Sequence, residues 1–483
     1  WAFGVMGALV ADVLSAATES IVMAWKLWRG VPEAPQPRPR EDGREHVLVV
    51  AFACSPGRGS EPGQGWQLAS RLAAHHDVTV LTYSGFRDKI ESELRQKPIP
   101  GFRVVYHRLP GEHTTHWRDG VDRPPGAREQ LHYYAWQVSA RRLVRRLHRE
   151  DPFTLAHHVS FMRYWSPSAA AAADVPFLWG PVGGGESAPE AFYAAFSPEG
   201  RRSARLRDRV RRIAHHDPFV RGTAYAADLA LATTEQSAAA MRAVGALDVR
   251  VARASVALAD DEIARLAAIP PPEASGDGGS AVRFAVVGRL LHWKGYDLAF
   301  RAFAQASGEM PMAWLDVIGD GPEREHLEAL VRSLGIADRV VFHGHVPRDR
   351  CLGLIGEADV MVHPSLHDSG GYATLEAMAA GRPVVCLALG GPGLQVDAEV
   401  GVAVEAHSPE QVVDDLAHAF SRLAADPGLR RAMGARGRAR VADRYRWSAL
   451  VDDILGHYRA LAAPGTPLAS ADAPTPTPEA ALA

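Results

Sequence analysis

Twelve residues, IPPPEASGDGGS at 269–280, divide this chain into two series of short apolar runs, each alternating with helix-length stretches. Proline, glycine and small polar residues at that density interrupt regular structure. Upstream lie HVLVVAFA (46–53), DVTVLTY (77–83), FRVVYHRL (102–109), VPFLWG (175–180) and DLALATT (228–234). Downstream lie FAVVG (284–288), WLDVIG (314–319), VVFHG (340–344), DVMVHP (359–364) and PVVCLA (383–388). Near-continuous apolar runs of this length read as strands buried on both faces, the pattern of parallel sheets sheathed by helices. The expectation is an α/β protein of two Rossmann-like domains, 46–268 and 282–445, joined by a linker at 269–281 and facing each other across a cleft. In such sheets ligands gather beyond the carboxyl ends of the strands.

The flanks differ. Residues 1–30 are apolar, but Asp12, Glu19 and Lys26 interrupt them before a membrane-spanning length is reached. Those charges recur every seven residues and share one helical stripe, so an amphipathic helix is expected, lying on a membrane surface or packed on the domains. No basic start precedes the apolar run, and a signal peptide is not expected. Residues 31–45 are rich in proline and charge and read as a linker, while 463–483 read as a disordered tail.

A formal net charge of −3 gives no global reason to expect nucleic acid as a partner. Cys54, Cys351 and Cys386 are far apart, which suggests neither a disulfide framework nor a thiolate zinc site and fits a reducing cytoplasm. No His-Glu-x-x-His occurs and no two aspartates stand two apart, which removes the commonest short carboxylate signature for a metal-held phosphate. A full Gly-x-Gly-x-x-Gly opens neither domain, which argues against a dinucleotide oxidoreductase.

Chemistry concentrates at the strand ends of the second domain. In GRLLHWKG, Arg289 and Lys294 stand five apart on a strand-to-helix loop, where two cations can clamp a diphosphate and meet the charge that develops as it leaves. In GDGPE, Gly319 and Gly321 permit a tight turn before a helix. HDSGGYATLE (367–376) sets Asp368 and Glu376 around a bend, with the N–H groups of Ser369, Gly370, Gly371 and Tyr372 at the start of a helix that Gly381 closes. Two acids there can accept hydrogen bonds from a polyhydroxylated ligand; equally, Asp368 can cap the helix and Glu376 balance its dipole.

GRLLHWKG, GDGPEREHLEALVRSLG, VVFHGHVPR and HPSLHDSGGYATLEAMAAGRPVV stand in the order and spacing of the family 4 (group 1) retaining glycosyltransferases of GT-B fold. The chain resembles that family over about 281–450 and less closely over 46–260. The resemblance implies that Arg289 and Lys294 hold the donor diphosphate, that Glu376 holds the ribose, and that the stretch from Phe342 to Val346 contacts the base. Asp368 takes the place of the first acid in the family's Glu-seven-Glu pattern, one methylene shorter, and would engage the sugar. SPGRGSEPGQGW, with Gly63 and Gly65, resembles the loop that closes over donor and acceptor, and His158 is the nearest match to a first-domain histidine at the sugar. YRWSALVDDILGHYRAL resembles the family's last helix, here 446–462, which crosses back onto the first domain. The family needs no metal and no other cofactor.

The expected activity is thus transfer of a hexose-type unit from a nucleotide-sugar donor to a glycan or lipid-linked acceptor, in cell-surface polysaccharide or glycolipid biosynthesis. The alternative is a GT-B-like scaffold that binds nucleotide without turnover. Arg141, Arg145 and Arg149, and the run from Arg201 to Arg212, are either solvated helix faces or contacts to an anionic membrane surface.

Overall fold

The computed structural model describes residues 44–109, 127–160, 163–270 and 281–463. The helix expected over 1–30 lies outside them, as do most of the two linkers and of the tail.

Two sheets organise the described residues. The first holds β1 (His46–Ala51), β2 (Asp77–Tyr83), β3 (Phe102–His107), β4 (Leu155–Ser160), β5 (Phe177–Val182), β6 (Leu229–Ala232) and β7 (Val249–Val251). Its order is β3-β2-β1-β4-β5-β6-β7. The second holds β8 (Arg283–Val287), β9 (Trp314–Ile318), β10 (Val340–Gly344), β11 (Val360–His363), β12 (Val384–Leu387) and β13 (Gly401–Val404), ordered β10-β9-β8-β11-β12-β13. Every pairing between these strands is parallel. The central strands are buried on both faces, Val47 to Val50 completely so, because helices cover each side. The order reverses between β1 and β4 and again between β8 and β11, which opens a crevice at the carboxyl end of each sheet.

All ten runs anticipated as strands form strands. Three more, β4, β7 and β13, were not anticipated. In β4 the adjacent His157 and His158 hid the apolar pattern, yet both are buried, since each ring finds partners inside the domain. Nε2–H of His157 donates to the Gly180 carbonyl (2.6 Å), which leaves Nδ1 to accept from the Tyr458 hydroxyl (2.7 Å). Burial holds its pKa down, to about 3, so the ring is neutral. His158 shares a hydrogen bond with Ser168 through Nδ1 (3.0 Å).

Tyr458 belongs to the last described helix, Trp447–Ala462, which follows the second domain and packs on the first. Trp447, Leu450, Val451, Ile454 and Tyr458 are its buried stripe, with Trp447 also under the Arg71 guanidinium. The chain thus crosses between domains twice. Ahead of the last helix, the Tyr445 carbonyl accepts from Leu258 N–H of the first domain (2.8 Å).

Candidate active site

The loops that follow β8 and β11 meet at the second sheet's crevice. Leu366 N–H donates to the Trp293 carbonyl (2.9 Å), stitching the loop after β11 to the short 3-10 turn His292–Lys294. Lys294 is thereby brought against Asp368, with Nζ 2.6 Å from Oδ2 and both side chains about one-fifth exposed (19% each). His363, the last residue of β11, sits 3.2 Å from the same oxygen. The other oxygen, Oδ1, accepts from the N–H groups of Gly370 (3.1 Å) and Gly371 (3.0 Å). Burial alone would raise the pKa of Asp368; the Lys294 ammonium and His363 outweigh it and hold the carboxyl well below the usual range.

Of the two readings of Asp368, the geometry here is that of the cap: it organises the turn before the helix Tyr372–Ala379 and in addition holds Lys294 in place. All of its acceptor sites are engaged, and the Gly370 and Gly371 N–H groups are turned inward to it rather than outward to a ligand. Gly371 occupies the left-handed region (φ 64°), and a Cβ there would lie 2.6 Å from Gln395 Oε1, so a side chain at this position would push the turn apart.

Arg289 is exposed at the end of β8 and has no hydrogen-bond or ion-pair partner among the described residues. Glu376, one turn into its helix, is buried, and Oε1 accepts from Arg348 Nη2 (2.6 Å). The same guanidinium nitrogen also reaches Glu262 (2.5 Å), so Arg348 bridges two acids. Burial raises the Glu376 pKa against the opposing pull of Arg348. Glu376 is thus covered in this state by a cation that the sequence did not single out.

Gly319 and Gly321 form the turn after β9, which rests on the loop after β8: Leu290 N–H donates to the Asp320 carbonyl (3.0 Å) and Glu323 N–H to the Leu290 carbonyl (3.2 Å). Phe342 leans on Phe300 within the second core, and Val346 is half-buried against the other core. His158 is not brought to this group; it lies within the first sheet. Gly63 and Gly65 differ from expectation: the helix starts at Ser60 and takes both of them in, so the loop after β1 is shorter than its glycines suggested.

Two first-domain residues complete the crevice. Arg207, on the helix Pro198–Ala214, contacts Nε2 of His367. Burial pushes the Arg207 pKa down to about 10 and, together with the Arg207 charge, pushes His367 down to about 3, so the imidazole is neutral. Glu186, at the end of WGPVGGGE, accepts a hydrogen bond from the Ser369 hydroxyl across the cleft (2.7 Å). The arginine run reads as a surface feature and Glu186 as the tail of a glycine-rich strand end; only a strand-end acid following three glycines signalled it.

Residues 275–440 match the model of the glycosyl transferases group 1 family. The D-inositol 3-phosphate glycosyltransferase of Acidothermus cellulolyticus is 39% identical over 183 residues, 36% of this chain and 40% of that protein. The 2-deoxystreptamine glucosyltransferase of Streptomyces kanamyceticus is 34% identical over 182 residues, 38% of this chain and 46% of that protein. The chain thus spans less than half the length of these curated relatives. Sucrose-phosphate synthase from Thermosynechococcus elongatus aligns over 86% of this chain and 99% of its own, at TM-score 0.58 and 21% identity. Anabaena HepE, solved in complex with UDP, aligns over 86% and 100% at TM-score 0.54 and 17% identity. Over residues 275–440 the chain is thus similar to the group 1 glycosyl transferases, and its two facing Rossmann-like sheets have the GT-B fold.

Proposed function

We propose that this protein is a retaining glycosyltransferase that moves a sugar from a nucleotide-sugar donor to a glycan or lipid-linked acceptor, in cell-surface polysaccharide or glycolipid biosynthesis. The observation that carries the reading is the pair of cations on the loop after β8: Lys294, held by Asp368, and Arg289, five positions earlier, exposed and without a partner among the described residues. Departure of a nucleoside diphosphate concentrates negative charge on the leaving oxygens, and positioned cations at that point stabilise the transition state more than the ground state. Asp368 holds Lys294 before ligand arrives, so little side-chain freedom remains to be lost on binding. Glu376 takes the ribose hydroxyls once Arg348 turns aside. Support for the donor class comes from HepE, a protein of like fold solved with UDP and with UDP-glucose.

No helix among the described residues is long and apolar enough to cross a membrane. The helix Pro198–Ala214 supports a peripheral contact instead. Leu206, Val210 and Ile213 are exposed along one face of it, flanked by Arg202, Arg205, Arg209 and Arg212. An outward apolar stripe edged by arginines matches an anionic lipid surface, which also suits a lipid-linked acceptor.

A panel of uridine, guanosine and adenosine diphosphate sugars, offered with glycan and lipid-linked acceptors, tests the proposal. One donor is expected to bind and to give a product whose NMR anomeric signature matches the donor's, with turnover unchanged by EDTA. Binding without turnover under every pairing would favour a nucleotide-binding scaffold, and absence of nucleotide binding would overturn both.

A further inference from the structure

Glu186 lies outside the group of residues that faces the donor, yet its carboxylate is the most heavily bonded acid beside the crevice. Oε1 accepts from the hydroxyls of Thr233 (3.1 Å), Thr234 (2.7 Å) and Ser237 (2.7 Å). Oε2 accepts from Gly184 N–H (2.8 Å) and from the Ser369 hydroxyl (2.7 Å). Four of these five donors belong to the first domain. The fifth, Ser369, lies between Asp368 and Gly370 in the loop that holds Lys294.

The three glycines before Glu186 give a second, independent observation. A Cβ on Gly183 would lie 2.9 Å from Ser369 Oγ and 3.1 Å from its Cβ, one on Gly184 (φ 92°) would meet the Trp165 ring at 2.3 Å, and one on Gly185 would fall 2.5 Å from Ser237 N. The backbone of 183–185 is therefore pressed between the first domain's own helix start and the donor loop, with no room for any side chain.

From this geometry we infer that Glu186 is a positioning residue: with the glycines that precede it, it sets the register between the first domain and the 365–372 loop. The contact is built to be made and broken. When the domains part, Glu186 keeps its four first-domain donors and Ser369 turns to water, so neither group is left buried without a partner. When they meet, the hydroxyl fits a carboxylate already ionised and oriented. Burial favours the neutral acid, but the hydrogen bonds, that of Ser369 foremost, hold Glu186 below its usual pKa. The loop then reaches its working position only in the closed arrangement, which confines transfer to that arrangement.

The structural part of this inference stands without the transfer activity; only its kinetic part rests on the function proposed above. Hydrogen exchange of the 365–372 amides, followed by mass spectrometry on the full chain without ligand, is expected to speed up roughly tenfold in Ser369→Ala and in Glu186→Gln, and no further in the double variant, because one contact is lost in each. Gly183→Ala should do the same by wedging the loops apart. Exchange unchanged in Ser369→Ala would overturn the inference, and that variant decides the matter even if the Glu186 variants fail to fold. With an active donor in hand, kcat should fall about tenfold or more while donor KM moves less than threefold, and Glu186→Asp should recover part of kcat; a change in KM alone would overturn the positioning role.

Discussion

Lys294 and Arg289 carry the same charge in different settings, and the settings predict different phenotypes. Arg289 is exposed and makes no contact that the fold needs, so Arg289→Ala should lower turnover by about 2 to 4 kcal/mol of transition-state stabilisation while leaving thermal unfolding where it was. Lys294→Ala should cost a similar amount in turnover and also about 3 kcal/mol of stability, since Asp368 would keep a partly buried charge without its cation. The stability cost depends on pH with a defined sign. Asp368 is depressed in the folded protein, so its stabilisation is present above the unfolded carboxylate pKa, about 3.9, and is lost as pH falls through the lower folded value. Urea unfolding of the two proteins should therefore differ most near neutral pH, begin to converge below pH 4 and meet once pH has passed the lower folded value; a gap that does not shrink at all below pH 4 would mean that Lys294 contributes by packing rather than charge. Residue types at strand ends were legible in the sequence because function there needs cations, acids and glycines in short compass. The long-range pairings were not legible: that Asp368 holds Lys294, or that Arg348 covers Glu376, depends on contacts between residues 74 and 28 positions apart.

Among the elements, strands with uninterrupted apolar runs were read from the sequence, and β4 was missed because two histidines occupy interior positions that only tertiary partners make tolerable. Helix starts were harder. The glycines of SPGRGSEPGQGW signalled an open loop, whereas Gly65 lies where the helix Ser60–Leu72 approaches the end of β1 too closely for a side chain, a Cβ there falling 2.3 Å from the Ala53 carbonyl. The arginine-rich helix Pro198–Ala214 was legible as basic but not as two-faced: Arg207 and Arg211 turn into the crevice while Leu206 and Ile213, at 60% and 63% exposure, point to solvent. That division makes a clean test. Leu206→Asp with Ile213→Asp should reduce co-flotation with phosphatidylserine vesicles about tenfold, with no loss of thermal stability, and should not alter the weaker flotation with phosphatidylcholine. Undiminished binding to the anionic vesicles would remove this helix as the lipid-facing element.

For the molecule as a whole, the two-domain plan followed from one break in the pattern at 269–280 and the return of the last helix from the family resemblance, whereas the contacts that tie the halves together were not legible, because they join residues hundreds of positions apart. The helix Trp447–Ala462 ends the described chain yet lies on the first domain, and its hydroxyl at Tyr458 satisfies a histidine within β4. A chain stopped at Arg446 should lose on the order of 10 kcal/mol of apolar burial from five side chains. It should then unfold the first domain well before the second in a thermal scan; a single transition at the full-length temperature would show that the helix contributes little. During synthesis the same arrangement imposes an order of events. The first domain emerges from the ribosome early, but the strip that Trp447, Leu450 and Ile454 will cover stays bare until some two hundred further residues have been translated. A nascent first domain must wait in that condition, open to chaperones and to its own neighbours on the polysome, and it is finished only by the last helix to arrive.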